Sequence, residues 1–337
     1  MGTTHQSAES LLAPGRGILV ADEYVDRLIA SLRSGDAEVG EGANEQYAEV
    51  ALGAAGLNSY ISGVLLPYHS FMSSEPARKE YRRGDQAIQF GVRMDASGTS
   101  DPTSETRTPG YGDVRRRLVE NREAGASFAE WRANLHPLSV APAEAHIDAA
   151  ALALGAAVSQ AEDVLPMVTV AMPDLASHSV SVTQAVTANA LSQLFGEMTR
   201  LDVDLSALVL RINMMLSGDA SRVQTAPDDV ARATLRVVSE TVPPEVAGIG
   251  FLSGGQPIDR ACANLAAITA LARSESMAWP LTFAFTRALL RSSINAWRCD
   301  SKNIADAQRD LIENCRAASQ AVSSGAGSPP PARSDPA

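Results

Sequence analysis

The chain has 337 residues, of which 45% are hydrophobic and 20% are charged, so it can bury a large core within a single barrel domain. Its formal net charge of −11 argues against broad binding to the phosphate backbone of nucleic acids. No apolar run approaches the length of a membrane span, and the first residues lack the charged and apolar regions of a secretion signal. We therefore expect a soluble, cytoplasmic protein with neither a nucleic-acid nor a membrane partner.

Short apolar runs of strand-forming residues alternate along the chain with longer segments of helical period. The intervening segments, such as Asp228–Val242 and Asp259–Ala272, place apolar residues at helical spacing. This alternation is typical of βα units and predicts an α/β protein, a single-domain (β/α)8 TIM barrel. The eight predicted strands are Ile18–Asp22, Tyr60–Leu66, Ile88–Met94, Ser127–Ala133, Leu165–Ala171, Ala207–Ile212, Gly248–Ser253 and Leu281–Phe285.

The two ends of the chain are predicted to lie outside the barrel. Residues 1–10 are expected to be a flexible N-terminus, and the barrel domain is expected to span residues 11–322. Asp300–Val322 is predicted to be a final exposed helix. The tail Ser323–Ala337 is rich in Ser, Gly and Pro and is predicted to be disordered.

Metal and cofactor motifs are missing from the sequence. Cys262, Cys299 and Cys315 are odd in number and show no C-x-x-C spacing, so we expect buried free thiols rather than disulfides or a zinc site. The five histidines give no metal-ligand spacing, and no strand–helix unit carries a nucleotide-binding glycine fingerprint. We therefore expect no metal and no cofactor.

Six segments carry, in order, a resemblance to a known protein family. They are Leu12–Glu23 (LAPGRGILVADE), Tyr60–Leu65 (YISGVL), Phe128–Ala133 (FAEWRA), Leu208–Met214 (LVLRINM), Gly248–Gln256 (GIGFLSGGQ) and Trp279–Leu289 (WPLTFAFTRAL). Together they resemble the class I fructose-bisphosphate aldolases from about Leu11 to Arg316. The resemblance implies a (β/α)8 barrel whose reactive groups lie at the carboxyl ends of the strands, and a homotetramer or homodimer.

The chain departs from that family where its chemistry depends on lysine. Only two lysines occur, Lys79 and Lys302, and neither lies on a predicted strand. The Schiff-base lysine of the family falls on Arg211, whose guanidinium stays charged and cannot form an imine. Further family lysines and catalytic glutamates fall on Arg93, Glu130, Thr169 and Ala171.

The anion site implied by the resemblance is better preserved. Ser253 and Gly254 match the phosphate-binding turn of the family, and Arg287 matches its arginine. A glycine turn facing an arginine suits a phosphate or carboxylate. The alternative is that the two adjacent glycines only allow the chain to reverse direction.

Several charged residues are predicted to share the barrel mouth. We assign Asp22, Glu130 and Arg211 as catalytic candidates, with an acid for proton transfer. The candidates for substrate binding are Tyr24, His69, Arg93, Arg132, Thr169, Ser253, Gly254 and Arg287. The alternative is an inert lumen in which the arginines pair with Asp22 and Glu130. His136 follows the fourth strand and is interpreted as a loop histidine.

The sequence favours an enzyme without Schiff-base catalysis. It predicts a lyase or condensing enzyme that forms or breaks C–C or C–N bonds in a small anionic carbonyl or imine substrate, within specialised biosynthesis. On this prediction the protein is not a fructose-bisphosphate aldolase. The alternative is a catalytically silent aldolase homologue that binds a sugar phosphate or a protein partner.

Overall fold

Eight parallel strands close into a barrel in which each strand pairs with the next in sequence and β8 pairs with β1. The structure is a computed structural model that describes residues 2–21, 42–82, 86–94, 111–135, 142–172, 178–218 and 225–324. The (β/α)8 prediction is confirmed, and each strand lies within two residues of its predicted bounds. The strands are β1 (Gly17–Val20), β2 (Ile61–Leu66), β3 (Gln89–Arg93), β4 (Phe128–Asn134), β5 (Leu165–Ala171), β6 (Val209–Asn213), β7 (Gly248–Leu252) and β8 (Leu281–Phe285).

Helices alternate with the strands and surround the barrel. In chain order they are α1 (Thr3–Leu11), α2 (Ala43–Leu52), α3 (Tyr68–Ser73), α4 (Glu75–Tyr81), α5 (Tyr111–Glu123), α6 (Pro142–Ala161), α7 (Val180–Arg200), α8 (Pro227–Thr241), α9 (Ile258–Ser274), α10 (Arg287–Trp297) and α11 (Ile304–Ser323). Short 3₁₀ turns occupy Leu57–Ser59, Leu205–Ala207 and Ser301–Asn303. Among the helices described, none is long and apolar enough to cross a membrane.

The lower half of the barrel lumen, towards the amino ends of the strands, is filled by apolar side chains. They include Ile18, Phe128, Leu165, Met167 and Val209, which form one buried cluster with Ala8 and Leu11 of α1; Val20 and Leu65 extend this cluster near the carboxyl ends of β1 and β2. Packing here leaves no spare room, because a Cβ atom on Gly91 would lie 2.2 Å from the Phe128 ring. This half of the lumen is therefore a packed core rather than a channel.

The N-terminal segment is helical where the sequence led us to expect a flexible end. Helix α1 buries Ala8 and Leu11, spaced three residues apart, against the lumen cluster. His5 Nε2 lies 2.9 Å from Ser206 Oγ and 3.4 Å from an Asp204 carboxylate oxygen. The short polar segment is thus ordered by tertiary burial, which cannot be predicted from its amino-acid composition.

The last helix also differs from the prediction of an exposed helix over Asp300–Val322. Helix α11 begins only at Ile304, after a 3₁₀ turn, and it buries one face through Ala307, Leu311, Cys315, Ala318, Ala321 and Val322. The predicted disordered tail lies outside the described residues from position 325 onward. All three cysteines are free, but only Cys315 is fully buried. Burial raises the pKa of the half-buried Cys262 thiol to about 11.

Candidate active site

A cleft with a cavity volume of about 80 Å³ opens at the carboxyl ends of the strands. Strands β4, β5, β6, β7 and β8 all contribute to it directly or through the residues that follow them. This is the end of the barrel at which TIM-barrel enzymes place their reactive groups. Its lining comprises Arg132, Asn134, Met172, Arg211, Leu252, Ser253, Gly254, Gly255, Thr286 and Arg287.

One side of the cleft is the turn that follows β7. Gly254 and Gly255 have φ angles of 57° and 74°, a left-handed conformation that favours glycine. Arg291 donates a hydrogen bond from Nη2 to the Gly255 carbonyl at 3.1 Å and fixes the turn from below. The half-buried Arg287, at the start of α10, completes this side, so the structure brings together the predicted anion-binding residues. Gly255 and Thr286 also line the cleft but were not predicted from the sequence, although each is adjacent to a predicted site residue.

The β4 side of the cleft carries a second arginine. Arg132 donates a hydrogen bond from Nε to Asn134 Oδ1 at 3.0 Å, which orients its guanidinium. Strand β4 lies opposite β8 in the closed barrel, so Arg132 and Arg287 approach the cleft from opposite walls. Two guanidinium groups facing one concave surface suit an anionic ligand.

Asn213, which the sequence did not single out, organises the wall between these two sides. It is nearly buried at the end of β6, and its Oδ1 accepts a hydrogen bond of 2.7 Å from the Met172 amide. Its Nδ2 would lie 3.6 Å from a Cβ atom on Gly254. Asn213 therefore holds the residue that follows β5 and lies next to the turn that follows β7, and its place two residues after Arg211 is the signal that could have identified it.

Beneath the cleft lies a buried charged group made of Glu130, Thr169 and Arg211. Glu130 Oε1 accepts two hydrogen bonds of 2.6 Å, one from Thr169 Oγ1 and one from Arg211 Nη1. The Glu130 side chain is 0% exposed and that of Arg211 is 1% exposed. Thr169, predicted to bind substrate, is instead buried against Glu130, and only Arg211 of the three also lines the cleft.

The electrostatics of this group keep Glu130 ionised. Burial alone would raise the pKa of the Glu130 carboxyl, but attraction to Arg211, Arg132 and Arg93, with the Thr169 hydrogen bond, holds it below its ordinary value. Arg93 is half-buried and lies opposite Glu130 in the register of β3 and β4. The pairing proposed as the alternative for an inert lumen is thus present between Arg211 and Glu130. Even with this pair formed, arginines outnumber acidic residues among the described residues at this end of the barrel.

Some predicted site residues lie away from the cleft or outside the described residues. Asp22, Tyr24 and His136 lie outside the described residues. His69 lies in α3, directly after β2, at the carboxyl end of the barrel. The buried Arg78 anchors that helix, because its Nε donates to the Phe71 carbonyl at 3.1 Å.

Histidine and lysine placements complete the surroundings of the cleft. His178, which the sequence did not place near the site, lies between β5 and α7, and its carbonyl accepts a hydrogen bond of 3.0 Å from the Gly218 amide. Burial lowers its pKa. Lys79, on α4, is 66% exposed and pairs with Glu75 at 2.8 Å. Lys302 is exposed in the 3₁₀ turn after α10. Helix α10 runs back from the carboxyl end of β8, so this turn lies at its far end.

Comparisons with known proteins agree with this geometry. The family profile "Fructose-bisphosphate aldolase class-I" matches residues 4–328. A "Fructose-bisphosphate aldolase" of Dictyostelium discoideum is 30% identical over 321 residues, covering 92% of this chain and 88% of the relative. A "Probable fructose-bisphosphate aldolase class 1" of Xylella fastidiosa (strain 9a5c) is 31% identical, covering 92% and 94%.

A solved structure shows the same fold. It is the fructose-bisphosphate aldolase of Plasmodium falciparum, described as a ternary complex with TRAP and a small-molecule inhibitor. Its TM-score is 0.83 and its sequence identity is 29%, with 95% of this chain and 94% of that chain covered. The likeness therefore extends over essentially the whole barrel.

These comparisons overturn the prediction that the protein is not a fructose-bisphosphate aldolase. Relatives at about 30% identity over most of the chain carry that name, and they support aldolase function rather than a different condensing activity. The prediction of a lyase is supported by the same match. The profile covers nearly the entire barrel and the structural likeness is of equal extent, so the chain belongs to the class I fructose-bisphosphate aldolase family.

Proposed function

We propose that this protein is an aldolase that cleaves and forms a carbon–carbon bond in a small phosphorylated ketose. Fructose 1,6-bisphosphate is the first substrate to test, because the relatives carry its name. One observation carries the proposal: the turn after β7, Arg287 and Arg211 line a single cleft at the carboxyl ends of the strands. The cleft thus offers anion-binding groups beside a cation that can face a carbonyl.

The phosphate end of the substrate is assigned to Ser253, Gly254, Gly255 and Arg287. A glycine turn presents backbone amides to phosphate oxygens, and a guanidinium adds charge-assisted hydrogen bonds. Arg132 approaches from the opposite wall and serves the remainder of an anionic substrate. Among the described residues at this end of the barrel, arginines outnumber acids in a protein whose net charge is −11, which favours a small anion over a neutral sugar.

We further propose that the reaction does not pass through a Schiff base. Imine formation needs a neutral amine, and arginine, which the resemblance places at the lysine position, stays protonated. Lys79 pairs with Glu75 on an outer helix, and Lys302 is exposed after α10, so neither lines the described cleft. The carbonyl is therefore activated by cationic residues rather than by a covalent bond.

The proposed step is redox-neutral, so it needs no external oxidant or reductant. A base takes the proton of the hydroxyl group on the carbon β to the carbonyl. The bond between the α and β carbons then breaks, and the hydroxyl-bearing β carbon becomes an aldehyde. The electron pair moves into an enolate whose oxygen is stabilised by the arginines, and a proton then adds to carbon. We assign the proton transfers to Asp22, because Glu130 is buried and already paired.

An aldolase assay with fructose 1,6-bisphosphate tests the proposal. We expect triose phosphates to form more slowly than with an amine-based enzyme, because covalent catalysis divides the difficult step in two. Arg287→Ala should raise KM about 10- to 100-fold, the loss expected for charge-assisted hydrogen bonds. Arg232→Ala is the matched control, since it removes an equal charge from an exposed position on α8.

Two results would contradict these assignments separately. No cleavage of fructose 1,6-bisphosphate or of any other phosphorylated ketose by wild-type protein would remove the proposed activity. A mass adduct on Lys79 or Lys302 after borohydride treatment with substrate would instead remove the amine-free mechanism. We expect turnover without an adduct.

A further inference from the structure

A single buried side chain spans the upper lumen of the barrel. Arg211 starts on β6, and both its Nε and its Nη2 donate to the Ala284 carbonyl on β8, at 3.3 and 3.2 Å. Its Nη1 donates to Glu130 Oε1 on β4 at 2.6 Å. The guanidinium is thus held from two further strands while it also lines the floor of the cleft.

Small residues leave the space that this arrangement needs. Gly250 on β7 lies opposite Arg211 in register, between β6 and β8. A Cβ atom on Gly250 would lie 3.2 Å from the Ala284 Cβ, closer than side chains normally pack. Gly250 and Ala284 therefore keep a path open across two strands, which a larger side chain would fill.

Glu130 holds the other end of the guanidinium, and it is itself held. Thr169 donates to the same Oε1 atom that Arg211 contacts. The second oxygen, Oε2, is buried and has no hydrogen-bond partner among the described residues. An unsatisfied carboxylate oxygen is costly in a buried site, so this arrangement is not explained as a device that only stabilises the barrel.

We propose that Arg211 is the catalytic cation that polarises the substrate carbonyl, and that Glu130 is the residue that positions it. Thr169 and the Ala284 carbonyl fix the remaining edges of the pair. The guanidinium is thereby set at the floor of the cleft before substrate arrives, where a low dielectric strengthens its attraction for developing negative charge. Glu130 acts through Arg211 and does not touch the substrate.

The inference rests on the proposed aldol chemistry for its substrate, a phosphorylated ketone. As the carbon–carbon bond breaks, negative charge develops on the carbonyl oxygen, and the positioned Arg211 stabilises it without bond formation to the enzyme. A preorganised donor of this kind contributes roughly 10²- to 10³-fold in kcat. Substrate affinity depends mainly on the phosphate, which is held elsewhere in the cleft, so kcat and KM should separate.

Kinetics with Glu130 variants test the positioning role. Glu130→Gln should lower kcat at least tenfold with KM changed less than threefold, and Glu130→Asp should recover part of that loss. Met167→Ala is the control, because Met167 lies opposite Glu130 in register, belongs to the apolar lumen cluster and carries no charge. It should loosen the fold and leave both constants within twofold. A kcat loss equal in Met167→Ala and Glu130→Gln, or a change in KM alone, overturns the inference.

A spectroscopic measurement reads the same contact without turnover. Infrared difference spectra of dihydroxyacetone phosphate, labelled with ¹³C at its carbonyl, should show a lowered carbonyl stretch when it is bound to wild-type protein. The shift should shrink in Glu130→Gln and persist in Met167→Ala. A bound ligand whose carbonyl stretch equals that in water, or no bound ligand at all, overturns the role of Arg211.

The two measurements also separate this inference from the proposed function. A lowered stretch without cleavage of fructose 1,6-bisphosphate would leave Arg211 at the carbonyl and remove the proposed substrate. Cleavage with an unshifted stretch would keep the aldolase activity and remove this role of Arg211.

Discussion

The two halves of the barrel lumen are built from opposite chemistry. Towards the amino ends of the strands, residues such as Phe128, Leu165 and Val209 pack into an apolar cluster. Towards the carboxyl ends, Glu130 and Arg211 form a buried ion pair below a cleft rich in arginine. Desolvating two charges costs several kcal/mol that an apolar layer would not cost. The comparison teaches that the lower half serves stability, whereas the upper half carries charge for another purpose.

The largest effect should come from breaking the ion pair on one side. Glu130→Leu removes the carboxylate that accepts a hydrogen bond from the buried Arg211 guanidinium. This change should lower the free energy of unfolding by about 3 to 5 kcal/mol. The double variant Glu130→Leu/Arg211→Met should recover most of that loss, because buried pairs are often replaced by apolar residues at little cost. Urea denaturation measures both. A double variant as unstable as the single one would show that the upper half is itself a stabilising element.

A cavity in the lower half should cost stability without affecting the site. Leu165→Ala, at the start of β5, removes buried methyl groups and should lower the free energy of unfolding by about 2 to 5 kcal/mol. The fraction that remains folded should keep the kcat and KM of the wild type. Activity per folded molecule, measured well below the melting temperature, decides this, and a changed kcat would mean that the two halves are coupled.

An intermediate effect is expected at the junction of the halves. Thr169→Val removes the hydroxyl that donates to Glu130 and leaves the volume nearly unchanged. The carboxylate then keeps Arg211 as its hydrogen-bond donor, so we expect a loss of about 1.5 to 3 kcal/mol, the range for a hydrogen bond to a charged group. Thermal unfolding beside Thr187→Val, a buried threonine on α7, gives the control.

The barrel could be predicted from sequence because each strand is a local signal. The alternation of apolar runs and helical periods placed all eight strands within two residues of their bounds. The anion turn was also predictable, since Ser253 and Gly254 are adjacent in one motif. Helix α1 was missed because its order depends on burial against residues far along the chain.

The resemblance placed Arg211 and Glu130 at one barrel mouth and offered their pairing as an alternative, but the individual hydrogen bonds in the lumen were beyond the reach of local sequence spacing. Arg211 and Ala284 are 73 positions apart, and Arg211 and Glu130 are 81 apart, so no local spacing reveals these hydrogen bonds. Asn213 was missed for the same reason, because its partner is the amide of Met172, which directly follows β5. The function prediction was wrong because it weighed a few substituted positions above a likeness that runs through the whole chain.

The smallest expected effect is on the pH dependence of stability. It distinguishes the contribution of His178 from that of Glu130 in the charged half of the lumen. Burial lowers the pKa of His178 below its ordinary value, so the unfolded chain takes up a proton first as the pH falls below about 6.5. Since the unfolded state then binds more protons, stability decreases on acidification. Glu130, whose pKa is depressed, loses its contribution only below about 4.5, so the loss at His178 begins at a higher pH. His178→Gln should flatten the stability profile just below about pH 6.5, by less than about 0.5 kcal/mol because the imidazole is partly exposed. Urea denaturation across that range measures it, and an unchanged slope would assign the acid sensitivity to other groups.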